Sequence, residues 1–472
     1  MEKSNLPSAS SISFRETLAL FLFALAAYSL TALQYQLFWD DHTYLAIGPE
    51  KLTRYFQSTS GIWRVFAWFW GGELLRVSHS LAVLMGVLLH AVNGWILLRI
   101  LRQLACPRAE SLLAAALFLT LPWYHEAIAW AAASFCYLPS TTAFLVALTL
   151  SLQWTRQRSQ APILFSALTV ITLIGNLFSE QLAFAFMALP VLVMLWQQGF
   201  PRHLADFWKS RPLFGATFGS LIYLFLFAVT SNSNSGKTIQ INPSTLLSAF
   251  YYQYTNLTAY VPWAHLDLLG QLSLANTLGA SFLTAVALSL LAGLLLLWRM
   301  SETPSEPVKL ASSRSATLLA GLLLLISIVA VFAVGGGYSL DSRKRYDIVL
   351  GAVLFLMPVL AQRRVTFSQS RKVRIALVII LIVNVATTNL LSAIYKTEFI
   401  RSRQLITSPE VTRGNRVYHL EPYIGRESLW RSIRPYWEGF YLDILLPPAL
   451  KGPTTAPRAY FDLKQDRWIF EE

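Results

Sequence analysis

Long, uninterrupted apolar stretches of about 17–22 residues recur along most of this chain and constrain its fold more than any other feature. The stretch at residues 80–101 reads SLAVLMGVLLHAVNGWILLRIL. A helix of that length crosses the hydrocarbon core of a bilayer. The stretches are continuous rather than alternating, which is typical of helices and not of barrel strands. Since only 13% of the residues are charged, about half the usual fraction, the sequence predicts an all-α polytopic membrane protein.

About eleven transmembrane helices are predicted, with the N-terminus inside. In this topology the cytoplasmic segments hold 18 Lys and Arg and the outer loops hold 8, which agrees with the positive-inside rule. The first stretch could alternatively be a signal peptide, although its apolar run is longer than usual. The predicted spans are residues 15–35, 80–101, 110–129, 137–153, 161–178, 181–197, 212–230, 278–298, 315–334, 346–362 and 374–394.

This topology divides the chain into a transmembrane domain, residues 1–394, and a small extracytoplasmic tail, residues 395–472. Two outer loops are long, 36–79 and 231–277, and their aromatic residues at helical spacing predict helices lying in the membrane interface. Cys106 and Cys136 fall on opposite faces, which excludes a disulfide between them. The net charge of +13 arises from the basic loops, so no nucleic-acid partner is expected.

Four groups of polar residues share the outer face of this topology at a similar depth. Ionisable groups at membrane depth are costly and usually functional. A basic cluster on the outer face also runs against the positive-inside bias, so it needs an anionic partner. The groups are Asp40, Asp41 and His42 in the first loop; His125 and Glu126 at the end of span three; Glu180 in the turn between spans five and six; and Arg343, Lys344, Arg345 and Tyr346 at the start of span ten.

Each group also has a purely structural interpretation. The first-loop acids could cap a following helix, and the His-Glu pair could lie in a solvated loop. Glu180 could cap span six through the helix dipole. The Arg-Lys-Arg cluster could pair with Asp341, Asp347 or lipid headgroups. His90 and Asn93, three residues apart on span two, are assigned to hydrogen bonding between helices.

Together the four groups predict transfer from a lipid-linked phosphate donor. A carboxylate beside the bilayer can deprotonate an acceptor hydroxyl, and the pair Asp40 and Asp41 could instead hold a divalent cation such as Mg²⁺ or Mn²⁺. An Arg-Lys-Arg cluster can hold a phosphate leaving group through charge-assisted hydrogen bonds.

Four stretches of the chain resemble the C-type (GT-C) glycosyltransferases, polytopic enzymes that use polyprenyl-phosphate sugars. The similarity is greatest to the branch of tetratricopeptide-repeat O-mannosyltransferases and their bacterial relatives. It covers roughly the first 200 residues well and the region to about residue 350 loosely. The stretches are FWDDHTYL, LLHAVNGWILLRIL followed by ALFLTLPWYHEAIAWAAA, NLFSEQLAFAFMALP, and SRKRYDIVL. The chain departs from that branch in its Ser-Glu-Gln turn, where the family has Ser-Lys-Glu, and in lacking a tetratricopeptide array after the last span.

The resemblance implies an inverting sugar transfer on the extracytoplasmic face of the plasma (inner) membrane, from a polyprenyl-phosphate sugar to a glycan, lipid or protein acceptor. It implies that one of Asp40 and Asp41 is the general base or a metal-contacting acid. The His125–Glu126 pair would line the sugar or acceptor pocket, and the Arg-Lys-Arg cluster would face the lipid phosphate. The remaining residues of the four groups, His42, Glu180 and Tyr346, are assigned to substrate binding.

Two other membrane functions compete with this one. A transporter or flippase of lipid-linked glycans would also need polar groups. It is expected to consist of two repeated halves and to place these groups near the midplane of the membrane. A glycan polymerase or ligase would favour a long outer loop late in the bundle. A scaffold role gives no reason for the outer acids.

Overall fold

The computed structural model describes most of the chain, and it is almost entirely helical. The described residues are 12–33, 73–157, 161–201, 208–230, 243–255, 276, 278–301, 312–334, 345–363, 370–414, 416–420, 448–462, 465 and 467–471. The helices are α1 (Phe14–Leu33), α2 (His79–Gln103), α3 (Arg108–Thr120), α4 (His125–Ala129), α5 (Ala131–Gln157), α6 (Ala161–Phe178), α7 (Ala183–Gln197), α8 (Gly215–Thr230), α9 (Pro243–Thr255), α10 (Ala280–Ser301), α11 (Arg314–Val334), α12 (Arg345–Gln362), α13 (Arg371–Ile406) and α14 (Pro409–Thr412).

Within the described part of the chain, nine helical segments are long and apolar enough to cross a membrane. The prediction of a helical, multi-pass membrane protein is therefore confirmed. All nine coincide with predicted spans, and the two remaining predicted spans correspond to α1 and to the region of α3. The nine are His79–Gln103, Ala133–Thr155, Ala161–Phe178, Glu180–Gln197, Arg211–Val229, Ala280–Ser301, Arg314–Val331, Arg345–Gln362 and Arg371–Ile394.

The predicted span 110–129 is wrong as a continuous helix. α3 ends at Thr120 after 13 residues, a length of about 20 Å, which is less than the ~30 Å of the hydrocarbon core. Leu121 is extended because the ring of Pro122 disfavours a helical conformation in the residue before it. A short 3-10 turn, Pro122–Tyr124, then leads into α4. We call residues 121–130 the broken segment.

The broken segment lies inside the bundle. It contacts α1, α2, α5, α12 and α13, and most of its side chains are buried. Non-helical backbone at membrane depth is tolerated only where protein or a water-filled cavity encloses it. The packing of five helices around the segment meets that requirement.

The outer helices pack through small residues as well as apolar ones. α6 and α8 are in close contact, and Gly215 and Gly219 of α8 face the backbone of α6. Thr169 of α6 donates a hydrogen bond through Oγ1 to the carbonyl oxygen of Gly215 at 3.1 Å. This small-xxx-small spacing is the usual means by which membrane helices approach closely.

The C-terminal region departs from an all-helical fold. α13 has 36 residues, about 54 Å, and it continues through the predicted boundary at residue 394. Beyond it, β1 (His419–Leu420), β2 (Arg458–Asp462) and β3 (Arg467–Phe470) form a small sheet in the order β1-β2-β3. Trp468 of β3 donates through Nε1 to the carbonyl oxygen of Arg401 at 2.8 Å, which ties the sheet to the end of α13.

The loop between α2 and α3 contains one of the two cysteines, Cys106, and Cys136 lies in α5. Both thiols are buried, and neither forms a disulfide. Burial, together with the nearby Glu110 carboxylate, raises the pKa of the Cys106 thiol. This thiol therefore stays protonated and packs as a small apolar side chain.

Candidate functional site

Polar side chains from four separate parts of the chain meet inside the bundle around the broken segment. All of them are buried. We call this set the central cluster; its members are Tyr28 of α1, His90 and Asn93 of α2, Tyr124 and His125 of the broken segment, and Tyr346 of α12.

A hydrogen-bond network joins α2, α5 and α12 through the Tyr346 hydroxyl. His90 Nδ1 lies 2.9 Å from that hydroxyl oxygen, and Asn93 Nδ2 donates to it at 3.1 Å. Asn93 Oδ1 in turn accepts a hydrogen bond from Thr142 Oγ1 at 2.6 Å. His90 and Asn93 share one face of α2 because residues three apart lie one turn from each other. The prediction that this pair bonds between helices is confirmed.

The aromatic rings of the cluster hold the broken segment in place. The Tyr124 ring lies 5.0 Å from Tyr346 and 5.8 Å from His90, between ring centroids. The Tyr28 ring lies 5.4 Å from His90 and 5.9 Å from His125. Tyr28 also donates its hydroxyl proton to the carbonyl oxygen of Leu121 at 2.7 Å, so a carbonyl freed by the helix break has a partner.

His125 faces α13 rather than solvent. Its side chain is 2% exposed, and Nε2 lies 2.9 Å from Ser392 Oγ. The solvated-loop alternative is therefore wrong for His125. The residue lies in the same cluster as Tyr346, although 221 positions separate them in the sequence.

An acid beside the cluster, Asp347, was not among the predicted site residues. Thr141 Oγ1 donates to its Oδ1 at 2.7 Å, whereas Oδ2 is buried with no hydrogen-bond partner among the described residues. Its position in the first turn of α12 favours a negative side chain through the helix dipole. A desolvated carboxyl with one vacant oxygen is suited to accept a hydrogen bond from a ligand hydroxyl.

Two neighbouring residues of α5 connect this acid to the turn that carries Glu180. Ser140 Oγ donates to the carbonyl oxygen of Ser179 at 3.2 Å. The next residue, Glu180, begins a 3-10 turn. Thr141 reaches Asp347. Glu180 is half-buried, and the predicted turn between spans five and six is confirmed.

The structure thus brings together part of the predicted site. His125 and Tyr346 lie in the central cluster, Arg345 is buried beside them at the start of α12, and Glu180 is connected through α5. Glu126 belongs to α4, but its side chain lies outside the described residues. Five further predicted residues also lie outside the described part of the chain: Asp40, Asp41, His42, Arg343 and Lys344.

Sequence reasoning missed Tyr28, Tyr124 and Asp347. Two of the three lie within the quoted stretches, since Tyr124 precedes His125 and Asp347 follows Tyr346. Tyr28 carries no such signal because it is one aromatic residue in an apolar helix.

No group of three or more His, Cys, Asp or Glu residues that could hold a metal ion occurs in the described part of the chain. Asp40 and Asp41, the residues predicted to contact a divalent cation, lie outside that part. Comparison of the chain with protein-family models, with curated proteins and with solved structures finds no match.

Proposed function

We propose that this chain is a membrane glycosyltransferase that moves a sugar from a polyprenyl-phosphate donor to a glycan, lipid or protein acceptor on the extracytoplasmic face of the plasma membrane. The observation that carries the proposal is the meeting of three motif segments around α5. The segments are the broken segment, the Ser179–Glu180 turn and the start of α12. Residues far apart in sequence that converge in a bundle at buried polar contacts are typical of a ligand site.

The cluster has the chemistry of a sugar site. It combines aromatic rings with hydroxyl, imidazole and carboxamide groups, which suits a ligand with apolar faces and many hydroxyls. The vacant Oδ2 of Asp347 and the Tyr124 hydroxyl, buried without a hydrogen-bond partner among the described residues, are two polar atoms that a bound hydroxyl would satisfy. Both belong to the motif segments, Tyr124 to the broken segment and Asp347 to the start of α12.

The transfer itself needs a base and a place for the leaving group. One of Asp40 and Asp41 takes the proton from the acceptor hydroxyl. The acceptor oxygen then bonds to the anomeric carbon as the bond from that carbon to the phosphate oxygen breaks. The electron pair leaves with the polyprenyl phosphate, whose charge Arg343, Lys344 and Arg345 stabilise.

Transfer can be tested in membranes of the native host from which the chromosomal copy has been deleted. The host is complemented with wild type, Asp40→Asn or Asp41→Asn, and the membranes receive polyprenyl-phosphate mannose or glucose carrying a labelled sugar. We expect label to appear in acceptor material with wild type and to be lost with at least one variant. Equal labelling by both variants and wild type would contradict the proposal.

Transport of a lipid-linked glycan is the second candidate, and the broken segment favours it. Transporters build substrate sites from interrupted helices within the bundle, and the central cluster includes such an interruption. Vesicles containing purified protein separate the two functions. Movement of a labelled polyprenyl-phosphate sugar between leaflets, with the sugar still attached, would indicate transport, whereas release of polyprenyl phosphate would indicate transfer.

A further inference from the structure

A buried acid is surrounded by arginines at the other end of the bundle from the central cluster. Glu16 Oε1 lies 2.7 Å from Arg102 Nη2, 2.8 Å from Arg108 Nε and 3.7 Å from Arg299 Nε. We call these four residues the Glu16 cluster. Arg102 lies 12 residues after His90 on α2, which places it about 18 Å further along the helix.

Four helix ends meet at this cluster. Glu16 lies in the first turn of α1 and Arg108 begins α3, while Arg102 and Arg299 lie in the last turns of α2 and α10. Two helices start and two end here. This agrees with the predicted topology, in which successive spans cross the membrane in alternating directions. The predicted topology assigns this end to the cytoplasmic side.

The second oxygen of Glu16 is already used by its own helix. Ser13 N donates to Oε2 at 2.8 Å, and Glu16 N lies 3.3 Å from Ser13 Oγ, the reciprocal pattern of a capping box. All three guanidinium groups therefore converge on the single atom Oε1. Each guanidinium has five N–H donors, and Arg108 uses only Nε for Glu16.

The cluster also has more positive than negative charge, and part of that charge is accessible. Glu16 supplies one negative charge against three guanidinium groups, and its side chain is 0% exposed. The side chain of Arg108 is 33% exposed and that of Arg299 20% exposed. Among the described residues, Glu16 is the only ion-pair partner of Arg108, through Nε, which leaves its terminal nitrogens for another acceptor.

A neighbouring pair indicates the depth of the cluster. The Arg15 guanidinium carbon lies 3.9 Å from the centre of the Trp298 ring, and Trp298 is half exposed. Trp at the end of a membrane helix is typical of the headgroup level. The accessible guanidinium groups of the adjacent cluster therefore lie where lipid phosphates are found.

We propose that Arg108, held by Glu16 beside Arg102 and Arg299, binds the phosphate of an anionic phospholipid. The guanidinium fork matches the geometry of phosphate oxygens, and basic sites between helices on the cytoplasmic side attract anionic headgroups. The buried Glu16 carboxylate keeps the arginines together when the lipid is absent. This inference does not rest on the proposed sugar transfer, because no residue of the cluster belongs to the central cluster.

The test uses the full chain purified in a neutral detergent. The thermal midpoint is followed during titration with dioleoylphosphatidylglycerol, with dioleoylphosphatidylcholine and with inorganic phosphate, since a ligand of the folded state raises the midpoint. We expect phosphatidylglycerol to stabilise wild type much more than phosphatidylcholine. Loss of the charged hydrogen bonds in Arg108→Gln should weaken the apparent affinity about tenfold or more.

Arg314→Gln is the matched control. Arg314 is an exposed arginine at the start of α11, on the same predicted face, so the variant removes the same charge and should bind like wild type. If Arg108→Gln does not fold, Arg108→Lys keeps the charge but loses the fork geometry and should still weaken binding.

Three results would overturn the inference. Equal weakening in Arg314→Gln would show that only surface charge matters, and no preference for phosphatidylglycerol in wild type would show that the cluster binds no anionic lipid. An equal effect of inorganic phosphate, lost in Arg108→Gln, would assign the site to a soluble phosphate compound instead.

Discussion

Replacing Tyr346 by Phe removes one hydroxyl from the central cluster and leaves the ring where it packs. The hydroxyl has two hydrogen-bond partners, His90 and Asn93. Polar pairs between membrane helices contribute about 0.6 kcal/mol on average and up to about 1.7 kcal/mol. Losing both pairs should therefore lower the free energy of unfolding by about 1–3 kcal/mol.

Each partner keeps at least one hydrogen bond in the variant, which limits the loss. His90 Nε2 lies 3.3 Å from the carbonyl oxygen of Leu119, and Asn93 Nδ2 donates to that of Leu138 at 3.3 Å. The Phe ring retains its contact with Tyr124. The cost should therefore be that of two hydrogen bonds, without the larger cost of a cavity.

Unfolding titrations in mixed micelles, monitored by tryptophan fluorescence, measure this loss. Tyr124→Phe is the matched control, because the Tyr124 hydroxyl is buried without a hydrogen-bond partner among the described residues, so its removal should be neutral or stabilising. In an Asn93→Ala background the cost of Tyr346→Phe should fall by about 0.6–1.7 kcal/mol. Equal costs for the two Tyr→Phe variants, or no coupling to Asn93, would refute the network.

Three further predictions concern other contacts. Gly219→Ala should lower the thermal midpoint measurably, because the new Cβ would lie 2.5 Å from the carbonyl oxygen of Thr169, a backbone atom that cannot rotate away. Asp347→Asn should fold with a free energy of unfolding within about 1 kcal/mol of wild type, because the amide oxygen still accepts from Thr141 while no charge is buried; Asp347→Leu should unfold at a lower temperature. Trp468→Phe should increase proteolysis of the C-terminal sheet without changing the midpoint of the bundle, because it removes the bond to α13.

The positions of the spans could be predicted from sequence because the bilayer sets a helix length that any apolar stretch reveals. The helix break could not be predicted that way, since the residues around Pro122 are themselves apolar and complete a stretch of the right length. The proline was the available signal, through its effect on Leu121. Likewise, short strands such as β3 are too brief for alternation to separate them from a loop.

The candidate site was predictable in its motifs but not in its contacts. His125 and Tyr346 stand out because polar residues are rare in apolar surroundings. His90 and Asn93 resemble ordinary interhelical contacts, and only the fold shows that their partner is Tyr346, more than 250 residues away. The spacing of polar and apolar residues along one helix shows which residues share a face, but not which other helix that face contacts.

Recognition of a lipid phosphate by this chain is best tested by binding, because a binding measurement needs no acceptor. The thermal midpoint of the purified chain is measured with undecaprenyl phosphate and with undecaprenol, for wild type, Arg343→Gln/Lys344→Gln and Arg108→Gln. We predict a rise in midpoint that requires the phosphate, is lost in the double variant and persists in Arg108→Gln. An equal rise with undecaprenol, or no rise with either lipid, would mean that the chain does not recognise the lipid phosphate.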